Sequence, residues 1–234
     1  MKKILPFLFL LSAILITSCS SGPKKDSPSA LDPIWQGAGK NYAAKRFSKV
    51  KRWAPGQYVV VGNKADGVKE SVSRMLVVGK KSGGWIFEST STNREGKVTG
   101  MQMLITGYER AVNTGKTDQI KVLWMKLLQE DGTVQQLEEA QIMVYNFALQ
   151  STWSKLVNVN TSFKNGGPVT VPAGTFASTS ITNAEVKILF KTFKSTSWLH
   201  PDVPVNGVVR SASEDGEDVT ELISFGYNGK PIIK

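Results

Sequence analysis

Gln57 to Thr92 reads QYVVVGNKADGVKESVSRMLVVGKKSGGWIFESTST, and these residues decide the fold. Three runs rich in Val, Ile, Thr and aromatic residues are cut by Ala65-Asp66-Gly67 and Ser82-Gly83-Gly84. Short β-branched and aromatic runs bounded by such signals are strands. The connections are too short to cross over to a parallel neighbour, so consecutive runs pair as an antiparallel meander.

The same rhythm continues outward. VTGMQMLITGY follows Arg94-Glu95-Gly96, QIKVLWMKLLQ comes next, and Asp131-Gly132 turns the chain into TVQQL. After Asn165-Gly166-Gly167-Pro168 the strands restart as VTV, TFASTSITN, EVKILFKTF, VVRSAS and VTELISFGY. The last two flank Glu214-Asp215-Gly216-Glu217, a hairpin turn.

Two segments break the pattern. Trp35, Ala38, Tyr42, Phe47, Val50 and Trp53 fall on one face at 100° per residue, which predicts a helix over Ile34 to Trp53. Asp32 is its expected N-cap, Pro33 its first residue, and Ala54-Pro55-Gly56 its end. Ile142, Tyr145, Leu149, Trp153 and Leu156 predict a second helix, opened by Glu138 and Glu139. About ten strands and two helices sum to an α+β domain, mostly β. One curved antiparallel sheet with one or two helices packed on one face uses them all.

The amino-terminal end has another logic. MKKILPFLFLLSAILITSC pairs Lys2 and Lys3 with an apolar run from Ile4 to Ile16. That run suits an export signal and is too short to span a bilayer core of about 30 Å. Ile16-Thr17-Ser18-Cys19 at its end resembles a bacterial lipobox, holding the one cysteine of the 234 residues. The resemblance implies cleavage after Ser18 and lipidation of Cys19. Two or three acyl chains there would anchor the protein stably in a membrane. Ser20, rather than an acid, resembles outer-membrane sorting. SSGPKKDSPSALDP then lacks the apolar content to bury a core and reads as a linker. The expected organisation is a signal peptide over 1–18, lipidated Cys19 with its linker over 19–33, and one domain over 34–234.

The formal net charge is +10. Much of it is local: Lys40, Lys45, Arg46, Lys49, Lys51, Arg52 and Lys64 lie between Pro33 and Ala65 without one acid. For an exported, tethered protein this basic face suits anionic head groups, acidic polymers or a protein partner rather than nucleic acid. It is equally the pattern of a solvated face.

Motifs for catalysis are missing. His200 is the one histidine, and it sits beside Pro201 with no GxSxG elbow elsewhere to supply a nucleophile. One histidine without cysteine builds no zinc site. Asn113-Thr114-Gly115-Lys116-Thr117 ends like a P-loop, but Arg110 stands where a glycine belongs. Glu214 to Glu221 fails the EF-hand register. No cofactor is implied, and the protein is expected not to be an enzyme.

VTVPAGTFAS, SWLHPDVPVNGVVR, LISFGYNG and the earlier WAPGQYVVV resemble bacterial lipoproteins with the half-barrel of lipoprotein carriers and acceptors (LolA/LolB-like). Asn206-Gly207 departs from a Gly-Gly pair in that pattern. The resemblance implies a concave apolar interior that binds a hydrophobic ligand or another lipoprotein's acyl chains. Trp85, Phe87, Met101, Met103 and Trp124 are the residues expected to line it, with Met75, Met125 and Met143 nearby; ordinary core packing is the other reading of the same residues. The alternative function is an interaction lipoprotein that binds acidic polymers or a protein through the basic face.

Overall fold

The computed structural model describes residues 29–48, 51–114, 118–146, 163–188 and 191–234. Twelve strands stand among them: β1 (Lys40–Tyr42), β2 (Tyr58–Ala65), β3 (Val68–Lys81), β4 (Gly84–Asn93), β5 (Val98–Thr106), β6 (Lys121–Leu128), β7 (Val134–Gln136), β8 (Lys164–Val171), β9 (Gly174–Ile188), β10 (Lys191–Leu199), β11 (Val208–Ser213) and β12 (Asp218–Gly226). Helix α1 (Tyr108–Thr114) joins β5 to β6, and α2 (139–146) follows β7.

All twelve strands belong to one sheet in the order β1-β9-β10-β11-β12-β2-β3-β4-β5-β6-β7, with β8 on β9. The sheet is curved and not closed. β2 to β7 form the expected meander. The β2–β3 and β3–β4 turns carry positive φ at both central residues, Asp66-Gly67 and Ser82-Gly83. That is the turn whose twist matches paired strands. Contacts of β8 with β11 and β12 fold this edge over the inner face.

Strand alternation divides the faces. Val59, Val61, Met75, Val77, Phe87, Met103 and Met125 point inward into one core, which Ala111 of α1 and Ile142 of α2 also join. The outer face of β3, β4 and β5 is covered by the carboxy-terminal segment. Leu76, Glu88 and Gln102 stand side by side there across the three strands. The Glu88 carboxylate is buried and accepts the backbone N–H groups of Ile232 (2.9 Å) and Ile233 (3.0 Å). Gln102 donates to Glu88 (3.0 Å) and to the Ile233 carbonyl (2.8 Å), and Arg74 lies 3.6 Å from the carboxylate. A buried charge persists only when it is paired and hydrogen-bonded in this way.

The structure corrects several expectations. No helix covers the described part of 34–53. Residues 30–35 are a turn, β1 follows, and 43–48 has no regular secondary structure. Gly37 abuts the Pro172 carbonyl so closely that a Cβ would not fit, and the apolar stripe disperses to separate places. Trp35 packs with Leu31, Val72 and Ile223 on the outer face, where Gly62 leaves room for its indole. Tyr42 stacks on Phe176 at 4.3 Å, and Phe47 joins Leu199 and Val208. Asp32 does not cap a helix; it accepts from the Ser29 N–H and from Lys69.

The packed region also starts before Ile34, since Leu31 is fully buried and Ala30 donates to the Arg94 carbonyl. Asn165-Gly166-Gly167-Pro168 is not a turn between elements but part of β8, accommodated by bulges on either side of Gly167. TFASTSITN and EVKI form one strand, β9, which runs to Ile188. Helix α1 stands where no helix was expected. The second predicted helix is present over 139–146, and its remainder to Leu156 lies outside the described residues.

Candidate functional site

Because the strands alternate in direction, their turns define two ends. Turns at 66–67, 94–97, 129–133 and 214–217 lie at one, which we call the near end. The 82–83 turn, α1 and the 200–207 loop lie at the other, the far end. The chain enters the domain at the near end, through the Ala30–Arg94 hydrogen bond and the Asp32–Lys69 ion pair (2.7 Å).

The inner face changes character between these ends. Toward the far end it is aromatic. Trp53 stacks on Tyr108 (3.7 Å between ring centroids) and Phe87 (5.3 Å) and meets Trp85 edge-on (6.1 Å). Its indole N–H donates to the Val205 carbonyl (3.1 Å). Val205 has φ +66°, and Asn206 N–H donates back to the Pro204 carbonyl (2.8 Å). That is a γ-turn, a strained conformation for a β-branched residue. Burial pushes the Tyr108 hydroxyl well above its ordinary range.

Toward the near end the inner face carries buried hydroxyls. Thr220 donates to Asn63 (3.0 Å), Asn63 to Ser71 (3.0 Å) and Ser73 (3.2 Å), and Ser73 to Ser91 (3.3 Å). Ser197 and Ser211 pair at 3.1 Å, while the buried Ser89 and Thr182 hydroxyls have no partner among the described residues. The row was missed in the sequence. Its signal was the Ser/Thr alternation in ESTST, ASTS and STSW, which also suits an exposed face. A recess beside it, lined by Ser89, Ser91, Thr99, Met101 and Leu127, has about 60 Å³ of room for water-sized solutes.

Trp85, Phe87, Met101 and Met103 come together on the inner face, each below a tenth exposed, and they fill core. Trp124, paired in register with Leu104, is half-buried and packs against the same core from its edge. Met143 is exposed on α2. The recess is far below the roughly 300 Å³ of a drug-sized site.

The basic residues lie on an irregular strap rather than a helix face. Lys40 is on β1, and Lys45, Arg46, Lys51 and Arg52 run across the far end, all exposed. Lys49 and Cys19, with the whole leader, lie outside the described residues. Lys45 donates to both carboxylate oxygens of Asp202 (2.9 and 2.8 Å). Lys51 donates to the Tyr227 hydroxyl (3.1 Å), which donates to the Asp202 carbonyl (3.2 Å). Burial works against the Asp202 carboxylate, but the Lys45 hydrogen bond and nearby positive charge hold it below its ordinary range.

His200 is fully buried beneath this strap, edge-on to Phe176. Nδ1 accepts the Asp202 N–H (3.2 Å), which puts the proton on Nε2, facing the Ala43 carbonyl at 3.1 Å. Burial lowers its affinity for a second proton, with Lys45 and Lys51 adding to the effect. Both ring nitrogens are committed to backbone partners, so the ring ties strap to loop. Among the described residues no three His, Cys, Asp or Glu side chains gather as a metal site would require. None of the described helices is long and apolar enough to cross a membrane.

No protein-family profile matches the chain, and no curated protein sequence does. Solved structures similar to it include two from the Bacteroidetes. One is described as a "putative exported protein with YmcC-like fold" from Bacteroides fragilis NCTC 9343, at 12% identity and TM-score 0.35, over 77% of this chain and 98% of that one. The other is a "putative lipoprotein" from Parabacteroides distasonis ATCC 8503, at 13% identity and TM-score 0.36, over 74% of this chain and 96% of that one.

Proposed function

We propose that this protein is a cell-envelope lipoprotein, held in the bacterial outer membrane by acyl chains on Cys19, whose half-barrel domain binds a partner without catalysis. The observation that carries the reading is Ile16-Thr17-Ser18-Cys19 directly after a charged and apolar leader. The entry of the chain at one end of the sheet supports it, because a domain hung from a membrane needs its tether to leave from an end. Metabolic labelling with palmitate tests it: the parent protein takes up label and Cys19→Ala does not. An unlabelled parent removes the reading.

Acyl-chain binding of the LolA/LolB-like kind is the second reading. Met101, Met103 and Met125 side by side on the inner wall favour it, since Met adapts to irregular apolar partners. It requires that core to part, because the recess beside it holds no chain. Native mass spectrometry of gently purified protein tests it; a ligand-free spectrum counts against it.

A further inference from the structure

We propose that the far end of the domain is a docking surface for an acidic polymer of the envelope, held away from the membrane by the geometry of the tether. Strap, turn and helix pool their charge there. Arg46, Lys51 and Arg52 come from the strap, Lys81 from the end of β3, Arg110 from α1 and Lys121 from the start of β6, all exposed.

Three acids are interleaved with them; two are engaged within the same end, and Asp118 precedes Lys121 there. Asp202 holds Lys45, and Glu109 holds Lys80 at 2.7 Å and accepts from the Trp85 indole at 3.3 Å. Lys80, and Arg52 beyond it, keep the Glu109 carboxyl below its ordinary range, which fixes these charges as neighbours. The balance is strongly positive, with the six basic residues named above set against Asp118. The near end differs: the hairpin from Ser213 to Glu221 alone holds five acids there, opposite Lys69, Arg94 and Lys97. A surface with a strong excess of one sign attracts a polyanion more than a balanced one does.

The tether argues for a polymer over the protein's own bilayer. From Cys19 to Ser29 there are ten Cα steps, which reach at most about 35 Å whatever their path. β4 alone, at ten residues, spans about 33 Å. With the chain entering at the near end, the far end touches the anchoring bilayer only at nearly full stretch. The orientation rests on the lipid anchor proposed above; the binding does not.

The test uses the full chain, purified from membranes in neutral detergent, on immobilised heparin as the polyanion probe. One variant carries Arg46→Gln, Lys51→Gln, Arg52→Gln and Lys81→Gln. A control removes equal charge elsewhere, with Lys97→Gln, Lys126→Gln, Lys164→Gln and Lys194→Gln. The far-end variant is expected to bind at least about tenfold more weakly, because it loses four charges that attract the polyanion. The control stays within about twofold of the parent. Equal losses in both variants, or no retention of the parent at low salt, overturn the proposal. So does a larger loss on phosphatidylglycerol vesicles than on heparin, which assigns the surface to lipid. A failed palmitate label leaves the heparin result standing and removes only the direction in which the far end faces.

Discussion

The two faces of β3, β4 and β5 alternate residue by residue, yet they are buried by different means. Met75, Phe87 and Met103 face inward and are covered by apolar neighbours from most of the sheet. Leu76, Glu88 and Gln102 face outward and are covered by one short segment, residues 229–233, gripped through its backbone. The inner side is stabilised by area, which many residues share. The outer side depends on one carboxylate with at least four donors around it. Shared burial degrades gradually, whereas a polar clasp fails at once when its acceptor is removed.

The largest expected effect follows from that contrast. Glu88→Ala strands the Ile232 and Ile233 N–H groups, the Gln102 amide and Arg74, and should cost about 3–5 kcal/mol in urea unfolding. A loss below about 1 kcal/mol would mean that water already serves the clasp. Met103→Ala, on the inner side, should cost about 3 kcal/mol by the same measurement. Glu88→Ala should also speed amide exchange in 229–233, and Met103→Ala should not; matching patterns would erase the distinction between the faces.

Trp53→Phe sharpens the inner side at smaller scale. It keeps a ring between Tyr108 and Phe87 but leaves the Val205 carbonyl without its donor, at about 1 kcal/mol. His200 gives the smallest effect and a pH signature. Its folded pKa is depressed by burial from an ordinary value near 6.5, so the unfolded chain binds the extra proton more readily. Its contribution is therefore complete above about pH 6.5 and declines as pH falls below that value. Melting temperatures should drop more between about pH 7.5 and 5.5 in the parent than in His200→Gln. Equal drops would show that the ring does not titrate with unfolding.

Much of the sheet was legible because its rules are local. Asp66-Gly67 and Ser82-Gly83 tolerate the positive φ that a two-residue hairpin imposes, and the runs between them alternate. The strap was not legible. Trp35, Tyr42, Phe47 and Trp53 fit a helical period, but each is claimed by a different distant partner, and periodicity cannot register that. β1 pairs in parallel with β9, far along the chain, through a register that only the folded sheet supplies. Glu88 reads as a solvent-facing acid within ESTST until the tail is seen to cover it. The basic residues were found from composition alone, but the share of Lys81, Arg110 and Lys121 in the same end needed the turns to be placed.

The central claim is that the domain is tethered at one end and presents its basic surface at the other. Cys19 is the one native cysteine, so Glu95→Cys and Asp118→Cys each offer a single thiol once Cys19 is lipidated. Energy transfer from a fluorophore at each position to a dye in the bilayer measures both heights. The account predicts that the label at 95 sits nearer the membrane than the label at 118, by roughly the 30 Å length of the strands. Equal heights, or the reverse order, would contradict it.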